Sequence, residues 1–492
     1  MSVRLKAISA AVQPASAGSD FSTEIRSMVF TYVCFGLLLL SCCPADSLST
    51  AAKCLWLLCT LILSFVSPAS ALGTYIAAVA IYGARHFQGW GSPFERPDNF
   101  ALPLVLGGLA WAGVSRPHPR KFLRLLAASG ALVGYGLLQM AATGTASRAQ
   151  FAWFMQMFGI PMILLAALLW AQLPLNEVRG FTRAIGLLAA YLGVTCLLEA
   201  WGHYDWLIPA WIADPTLNVT IGTGRVGGPL LQSEWNGLAL GLIYCVLLGT
   251  AGLTATPTQR ATKYLLGALC AASVYFTYTR AAWIGVAAAS VAFIYRKRDS
   301  KRTVLALLAL IVVLGIAVFS GRQASARLED SETAYFRVNI WAEGLHLAAE
   351  KPFFGHGFGT FGNLIAGYQG GLNSLPETKV SSEGTVAHNT LISIVVEEGL
   401  LGLALYCMVV VLIVGQAAKQ TREMWPAAST LVLAISLTYF LNVMFVVAYE
   451  PTTNFLYYSV IGLVAGLPTV PLASRVTKLY READPLCVES PA

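Results

Sequence analysis

Charge is what this 492-residue chain most lacks: only 12% of its residues are Asp, Glu, Lys or Arg, against roughly 25% in soluble globular chains. With 56% hydrophobic residues and a mean hydropathy of +0.65, water is excluded as its main solvent. Polar stretches large enough to enclose a separate core are also missing, because apolar runs recur from Met28 to about Leu467. A length that would suit roughly three soluble domains therefore reads as one membrane domain. CxxC pairs, HExxH and zinc-ligand spacings are absent, which excludes a dithiol redox centre and a structural zinc site. The cysteines lie mostly in apolar runs, the adjacent Cys42 and Cys43 among them, and only Cys487 is in a polar tail. They are expected to pack rather than ligate. The polar stretch Met1 to Arg26 lacks the apolar core of a cleavable signal peptide, so the first span is expected to stay as an anchor.

What is there instead is a succession of runs approaching the length of about twenty apolar residues that crosses a bilayer as a helix. They lie near 28–43, 52–67, 70–84, 101–115, 122–143, 151–171, 181–201, 235–254, 263–279, 281–296, 303–320, 389–417, 426–448 and 452–468. Several are short, and about twelve true crossings are expected. The fold class is thus an all-α integral membrane protein, a polytopic bundle of about 12 transmembrane helices. Alternate loops collect the basic residues: Arg116, Arg120 and Lys121; Arg179 and Arg183; Arg260 and Lys263; Arg296 to Arg302; Lys419 and Arg422; and Arg475, Lys478 and Arg481. Basic loops stay in the cytoplasm, which puts the two longest connections, near 202–234 and 321–388, on the other side. The expected organisation is a cytoplasmic tail 1–27, spans over 28–320, a large outer loop 321–388, further spans over 389–468 and a cytoplasmic tail 469–492. The net charge of +7 is largely this topological signal, and no basic and aromatic motif for nucleic acid accompanies it.

The second outer loop is too long to be a plain connector. Its stretch TAYFRVNIWAEGLHLAAEKPFFG reads as a helix with Phe336, Ile340, Trp341, Leu345 and Ala348 on one apolar stripe, ended by Lys351–Pro352. That pattern suits a helix lying on the membrane face. Gly355, Gly357 and Gly359 follow, a turn-rich segment able to bring backbone close to a ligand. Arg337 falls near the middle of the apolar stripe, with Trp341 one turn on. It either snorkels to headgroups or points inward to bind an anion. Arg280, in FTYTRAAWIG, sits between two apolar runs, where ionisable residues usually serve a site or an ion pair; Glu397 or Glu398 would be the partner in a purely structural pair. Arg225, in IGTGRVGG, is on the other outer loop.

His388 opens HNTLISIVVEEGLLGL, with Asn389 as N-cap of the helix that re-enters the membrane and Gly399 and Gly402 thinning one side for close helix approach. The helix dipole disfavours imidazolium there, and any nearby arginines would lower the pKa further; a neutral imidazole is what a general base requires. Glu397 and Glu398 are about 14–15 Å away along a straight helix, too far to orient the ring. His86, His118, His203, His346 and His356 form no cluster, and no Asp-x-Asp or Glu-x-Asp pair occurs in an outer loop. A bound diphosphate would have to be held by arginines rather than by carboxylate-bound metal.

These segments together resemble the O-antigen ligase and polymerase superfamily of bacterial membrane glycosyltransferases. His388–Asn389, nine residues, Gly399, two residues and Gly402 match that family's His-Asn-x9-Gly-x-x-Gly pattern. RVNIWAEGLHLAAEKPFFGHGFGTF is similar to its Arg-x-x-x-Trp helix and Pro-x-x-Gly-x-Gly-x-x-x-Phe segment, and TYTRAAWIG to its Ser-Arg-Gly/Ala segment, with Thr279 in place of serine. Arg225 resembles its Arg-x-Gly loop, although the Pro-Asn that often follows is spread from Pro229 to Asn236, across Gln232 and Glu234. The motifs cover roughly 220–415. The resemblance implies a GT-C-like enzyme of the inner membrane with a periplasmic site and no cofactor or metal. Its donor would be an undecaprenyl diphosphate-linked glycan and its acceptor the lipid A–core oligosaccharide. Arg225, Arg280 and Arg337 would hold the diphosphate, His388 would act as base with inversion, and Asn389, Trp341, Gly399 and Gly402 would support the site. An O-antigen polymerase or a protein O-oligosaccharyltransferase would use the same donor. A transporter or flippase is the alternative of another class, and the two related halves common in such folds are not evident.

Overall fold

Apolar runs without internal proline and with few charges form helices because in lipid every backbone N–H and C=O must be paired within its own segment. The computed structural model describes residues 17–42, 46–82, 96–114, 116, 122–254, 256–296, 331–367, 387–425, 428–445 and 450–468. The expected span 303–320 and both ends of the chain lie outside these residues, as do Cys43, His86, His118 and Cys487.

In chain order the helices are α1 (Ala17–Leu40), α2 (Asp46–Val66), α3 (Pro68–Tyr82), α4 (Pro97–Val114), α5 (Leu123–Thr143), α6 (Arg148–Phe154), α7 (Ile160–Ala171) and α8 (Leu175–Ala200). Then come α9 (Ser233–Thr250), α10 (Pro257–Phe276), α11 (Arg280–Arg296), α12 (Ser331–Glu350), α13 (Phe361–Gly367), α14 (Thr390–Glu397), α15 (Gly399–Met424), α16 (Ala428–Val443) and α17 (Pro451–Ala465). A single π turn, Met155–Gly159, joins α6 to α7. Among the described residues, six helical segments are long and apolar enough to cross a membrane: Ser47–Val66, Leu123–Thr143, Arg148–Ala171, Leu175–Ala200, Ser233–Leu253 and Gly399–Thr421. The protein is therefore an all-α, multi-pass membrane protein.

The bundle is built around α9, whose residues are buried along its whole length and which packs against α8, α10, α11, α16 and α17. A helix that is apolar on every side belongs in such a position. None of the eight described cysteines is in a disulfide, and Cys34, Cys196, Cys245 and Cys270 are buried in the packing.

A second, smaller core lies beside the main one. Ile340, Leu347 and Ala348 of α12 are buried with Phe361, Ile365, Ala387 and Val396, and Phe336, Trp341 and Ile392 border them. The expected stripe is corrected at one position: Leu345 faces outward, 57% exposed, and Leu347 takes its place inside. At about 100° per residue Leu347 falls between Phe336 and Ile340, whereas Leu345 falls opposite Phe336, and Gly344, lacking a side chain, lets α12 close on Ile392 of α14 and Phe361 of α13 along that line. The apolar face of α12 is thus covered by protein. Val338 and Leu345 are exposed apolar groups on it, and Phe353 and Phe354 are exposed just beyond its end.

The re-entering helix is likewise not continuous. It breaks between α14 and α15 at Gly399, which adopts a φ of 70°, a left-handed conformation open to glycine. The break frees backbone groups that the Lys351–Gly359 segment satisfies. His356 and Gly357 N–H donate to the carbonyls of Val396 and Glu397 at 2.9 Å each, and Leu400 N–H donates to Pro352 at 2.8 Å. A Cβ at Gly355 would strike the Glu397 carbonyl, and one at Gly399 the Phe353 carbonyl. From α5, Gln139 Nε2 donates to the Glu397 carbonyl at 2.7 Å and Tyr135 Oη to that of Glu398 at 2.6 Å. These glycines serve chain-to-chain approach at the helix break; Gly402, in turn, faces Tyr135.

Candidate functional site

Three segments meet at one end of the bundle, and each begins with a backbone in an unusual conformation. Leu231 (φ 59°) precedes α9, Tyr278 (φ 48°) precedes α11, and His388 (φ 48°) precedes α14. Among the described residues only Gln172 is a further non-glycine residue with positive φ. A residue held there costs roughly 1–3 kcal/mol and persists where surrounding structure imposes it, which is common at functional sites.

The loop between α8 and α9 carries Arg225, fixed from below by a carboxylate. Glu199, in the last turn of α8, is 3% exposed. Its Oε1 accepts from Asn218 Nδ2 (3.1 Å), Thr220 Oγ1 (3.2 Å) and Gly227 N–H (3.1 Å), and its Oε2 from Gly228 N–H (2.8 Å). Four donors converge on two oxygens, so the loop on either side of Arg225 is tied to a membrane helix. An amide in place of the carboxylate would turn an NH2 toward at least one of these donors. Glu199→Gln is therefore expected to lower stability by about 1–3 kcal/mol, the usual cost of a buried polar group left unpaired. It should also raise the donor KM more than it changes kcat. Thermal unfolding in detergent checks the first effect, and an unchanged unfolding temperature would show the four bonds to be dispensable.

Arg225 itself is largely buried. Its Nη2 pairs with Glu234 Oε1 at 2.8 Å, its Nε donates to the Thr277 carbonyl at 3.2 Å, and Nη2 also reaches Thr279 Oγ1 at 3.3 Å. The Thr279 hydroxyl, where the family pattern has serine, thus helps to bind one arginine beside the next. Arg280 is the first residue of α11. The turn before it is braced by Trp283, whose Nε1 donates to the Val274 carbonyl at 3.1 Å and whose ring stacks on Tyr275 at 6.1 Å.

Arg337, on α12, is partly exposed. Burial disfavours its charge, Glu234 favours it, and the positive charges of Arg225 and Arg280 oppose it. Arg225, Arg280 and Glu234 therefore each lie within electrostatic reach of Arg337. One turn along, Trp341 Nε1 donates to the Ala387 carbonyl at 2.9 Å, tethering α12 to the residue before His388. Asn389 caps α14 through Oδ1, accepting from the N–H groups of Leu391 (3.0 Å) and Ile392 (3.2 Å).

His388 lies between these two anchors. Burial, and then the Arg337 charge, push its pKa from 6.5 down to about 4, against the pull of Glu234. The ring is a neutral imidazole at physiological pH and can accept a proton. His356 goes elsewhere: its Nε2 lies 2.9 Å from the Leu347 carbonyl and 3.9 Å from the Glu350 carboxylate. Glu397 accepts from the Phe361 N–H at 3.1 Å. Both carboxyl oxygens of Glu398 lack a hydrogen-bond partner among the described residues, so Glu398 does not pair with Arg280.

The structure thus brings Arg225, Arg280, Arg337 and His388 into one electrostatic cluster, with Asn389 and Trp341 positioning the last two. Gly399 and Gly402 stand at the helix break rather than in the cluster. Two residues enter that the sequence pattern did not single out, Glu234 and Glu199. Among the described residues no group of three or more His, Cys, Asp or Glu side chains is placed to hold a metal ion. Residues 265–407 match the family model described as O-antigen ligase, a stretch that includes Arg280, Arg337, His388 and both glycines but not Arg225 or Glu234. No curated protein sequence matches the chain.

Proposed function

Starting from the match of residues 265–407 to the family model described as O-antigen ligase, we propose that this protein is an O-antigen ligase of the bacterial inner membrane. It transfers a glycan from undecaprenyl diphosphate to lipid A–core oligosaccharide at the periplasmic face. The supporting observation is the cluster around Arg337: Arg225 and Arg280 each within its electrostatic reach, beside a histidine that Arg337 helps to hold neutral.

Three guanidiniums suit a diphosphate, because each presents fixed N–H donors to phosphate oxygens. They also favour the charge that builds on the departing diphosphate oxygen as the glycosidic bond breaks. His388 takes the proton from the acceptor hydroxyl as that oxygen bonds to the anomeric carbon. The electron pair of the old C–O bond leaves with the diphosphate. Attack from the face opposite the leaving group inverts the anomeric centre. The carrier's prenyl chain lies along the apolar helices, and the basic loops keep the opposite face in the cytoplasm.

Purified protein given a polyprenyl diphosphate glycan and, separately, lipid A–core, a second carrier-linked glycan or pilin tests this reading. Transfer to lipid A–core is expected, undiminished by chelators. Transfer to a second carrier glycan alone would make the protein a polymerase, transfer to pilin a protein-directed transferase, and a requirement for divalent cation would contradict the arginine-held diphosphate.

A further inference from the structure

Glu234 is an odd neighbour for a site that binds an anion. It stands in the first turn of α9, its Oε1 on Arg225 Nη2 at 2.8 Å and its Oε2 accepting from the Ser233 hydroxyl at 3.3 Å. It also acts on Arg337 and on His388. A site built only for the tightest grip on phosphate would have no carboxylate among its arginines, since a negative charge there opposes the ligand directly.

The chemistry of transfer supplies a reason. Resting on the proposed lipid-linked diphosphate donor, we infer that Glu234 is a specificity-determining residue that weakens the hold on the diphosphate monoester product relative to the diphosphate diester donor. The donor's two phosphates each carry one ester bond to carbon, so it is a dianion. When the sugar leaves, the terminal phosphate gains an ionisable oxygen whose proton has a pKa near 6, and above that pH the released carrier approaches a trianion. The extra negative charge appears on the oxygen that held the sugar, across the sugar from His388 and among the arginines that Glu234 joins through Arg225. Without Glu234 the three guanidiniums would hold the spent carrier more tightly than the substrate, and release would limit turnover. With it, the added charge meets a fixed charge of the same sign. The Arg225–Glu234 pair also keeps the Arg225 fork aligned, but that role alone would act equally on donor and product.

The test uses two probes that differ by one charge and carry no sugar: farnesyl diphosphate and its P2-methyl ester, bound to the full-length protein in detergent at pH 8. In Glu234→Gln the ratio of monoester to diester affinity is expected to rise about tenfold over wild type, the effect of removing one unit charge a few ångströms away in a partly wet site. Competitive inhibition by farnesyl diphosphate during transfer should strengthen by a similar factor. An unchanged ratio, with both probes weakened alike, would overturn the inference and leave Glu234 as a brace for Arg225. Should Glu234→Gln not fold, the comparison of Arg225→Gln with Arg225→Gln/Glu234→Gln asks the same question with the Arg225 guanidinium absent from both proteins, and the same tenfold rise is expected. Failure of wild-type protein to bind either probe would instead remove the diphosphate donor on which the inference rests.

Discussion

Replacing His388 with alanine is expected to lower kcat/KM for glycan transfer by about 10²–10⁴-fold, the usual contribution of a positioned general base, while the diphosphate donor still binds. The physical basis is the ring's environment. Burial, and then Arg337, push its pKa down to about 4, so the proton-accepting form is present throughout the physiological range. The backbone at φ 48° is fixed on one side by the Trp341 bond to Ala387 and on the other by the Asn389 cap. His388→Gln, which keeps polarity and approximate size but cannot take a proton, should be equally inactive.

The pH profile carries the same argument with a definite sign. In the free protein the base is lost only as pH falls through about 4, so the acid limb of kcat/KM belongs well below 6.5. A bound diphosphate brings negative charge that offsets Arg337, so the acid limb of kcat, which reports the complex, should lie higher. Coincident limbs near 6.5, or normal transfer by His388→Ala, would remove His388 from the base's role.

Arg337→Ala carries the second large effect. Loss of one preorganised charge at a leaving group costs about 10²–10³-fold in kcat, and weaker donor binding should add to it. The variant has a further consequence that a merely structural arginine would not produce: without the Arg337 charge, the His388 pKa rises and the acid limb of kcat/KM moves upward. Arg337→Lys restores the charge but not the planar fork, so it should return the pH profile more fully than the rate. An Arg337→Ala protein with unaltered donor KM and kcat would mean that the guanidinium faces lipid or solvent, as a snorkelling side chain does.

Much of this was legible in one dimension because the bilayer imposes simple rules. Apolar runs had to be helices, and the breadth of those runs placed α5, α8 and α9 within a few residues of where they lie. Arg280 and Arg337 stood out since charge in an apolar surrounding is costly enough to need a reason. Glu199 carried that same signal, a lone carboxylate at the end of an apolar helix in LLEAWG. Its task is visible only with the loop folded back, because its four partners are 19 to 29 residues away.

The stripe of Phe336, Ile340, Trp341, Leu345 and Ala348 is too wide at Leu345, which at about 100° per residue falls opposite Phe336, and it omits Leu347, which falls between Phe336 and Ile340; only packing shows which edge of a broad apolar face is covered. The break at Gly399 was hidden for a related reason. An apolar run of that length satisfies the rule for a straight span, whereas the bend depends on backbone bonds from Lys351–Gly359 and on Gln139 and Tyr135 of a distant helix.

The sequence by itself determined solvent, secondary structure and chemical vocabulary: a lipid-embedded helical chain with arginines and a helix-capping histidine segment beyond its apolar runs. These follow from transfer energies and hydrogen-bond pairing, which act residue by residue. Only the tertiary structure decided that Arg225, from one loop, pairs with Glu234 and stands with Arg280 and Arg337, from two other elements, around a neutral His388. Charge coupling depends on separation in space, and 163 positions of chain between Arg225 and His388 contain no information about that distance until the helices pack.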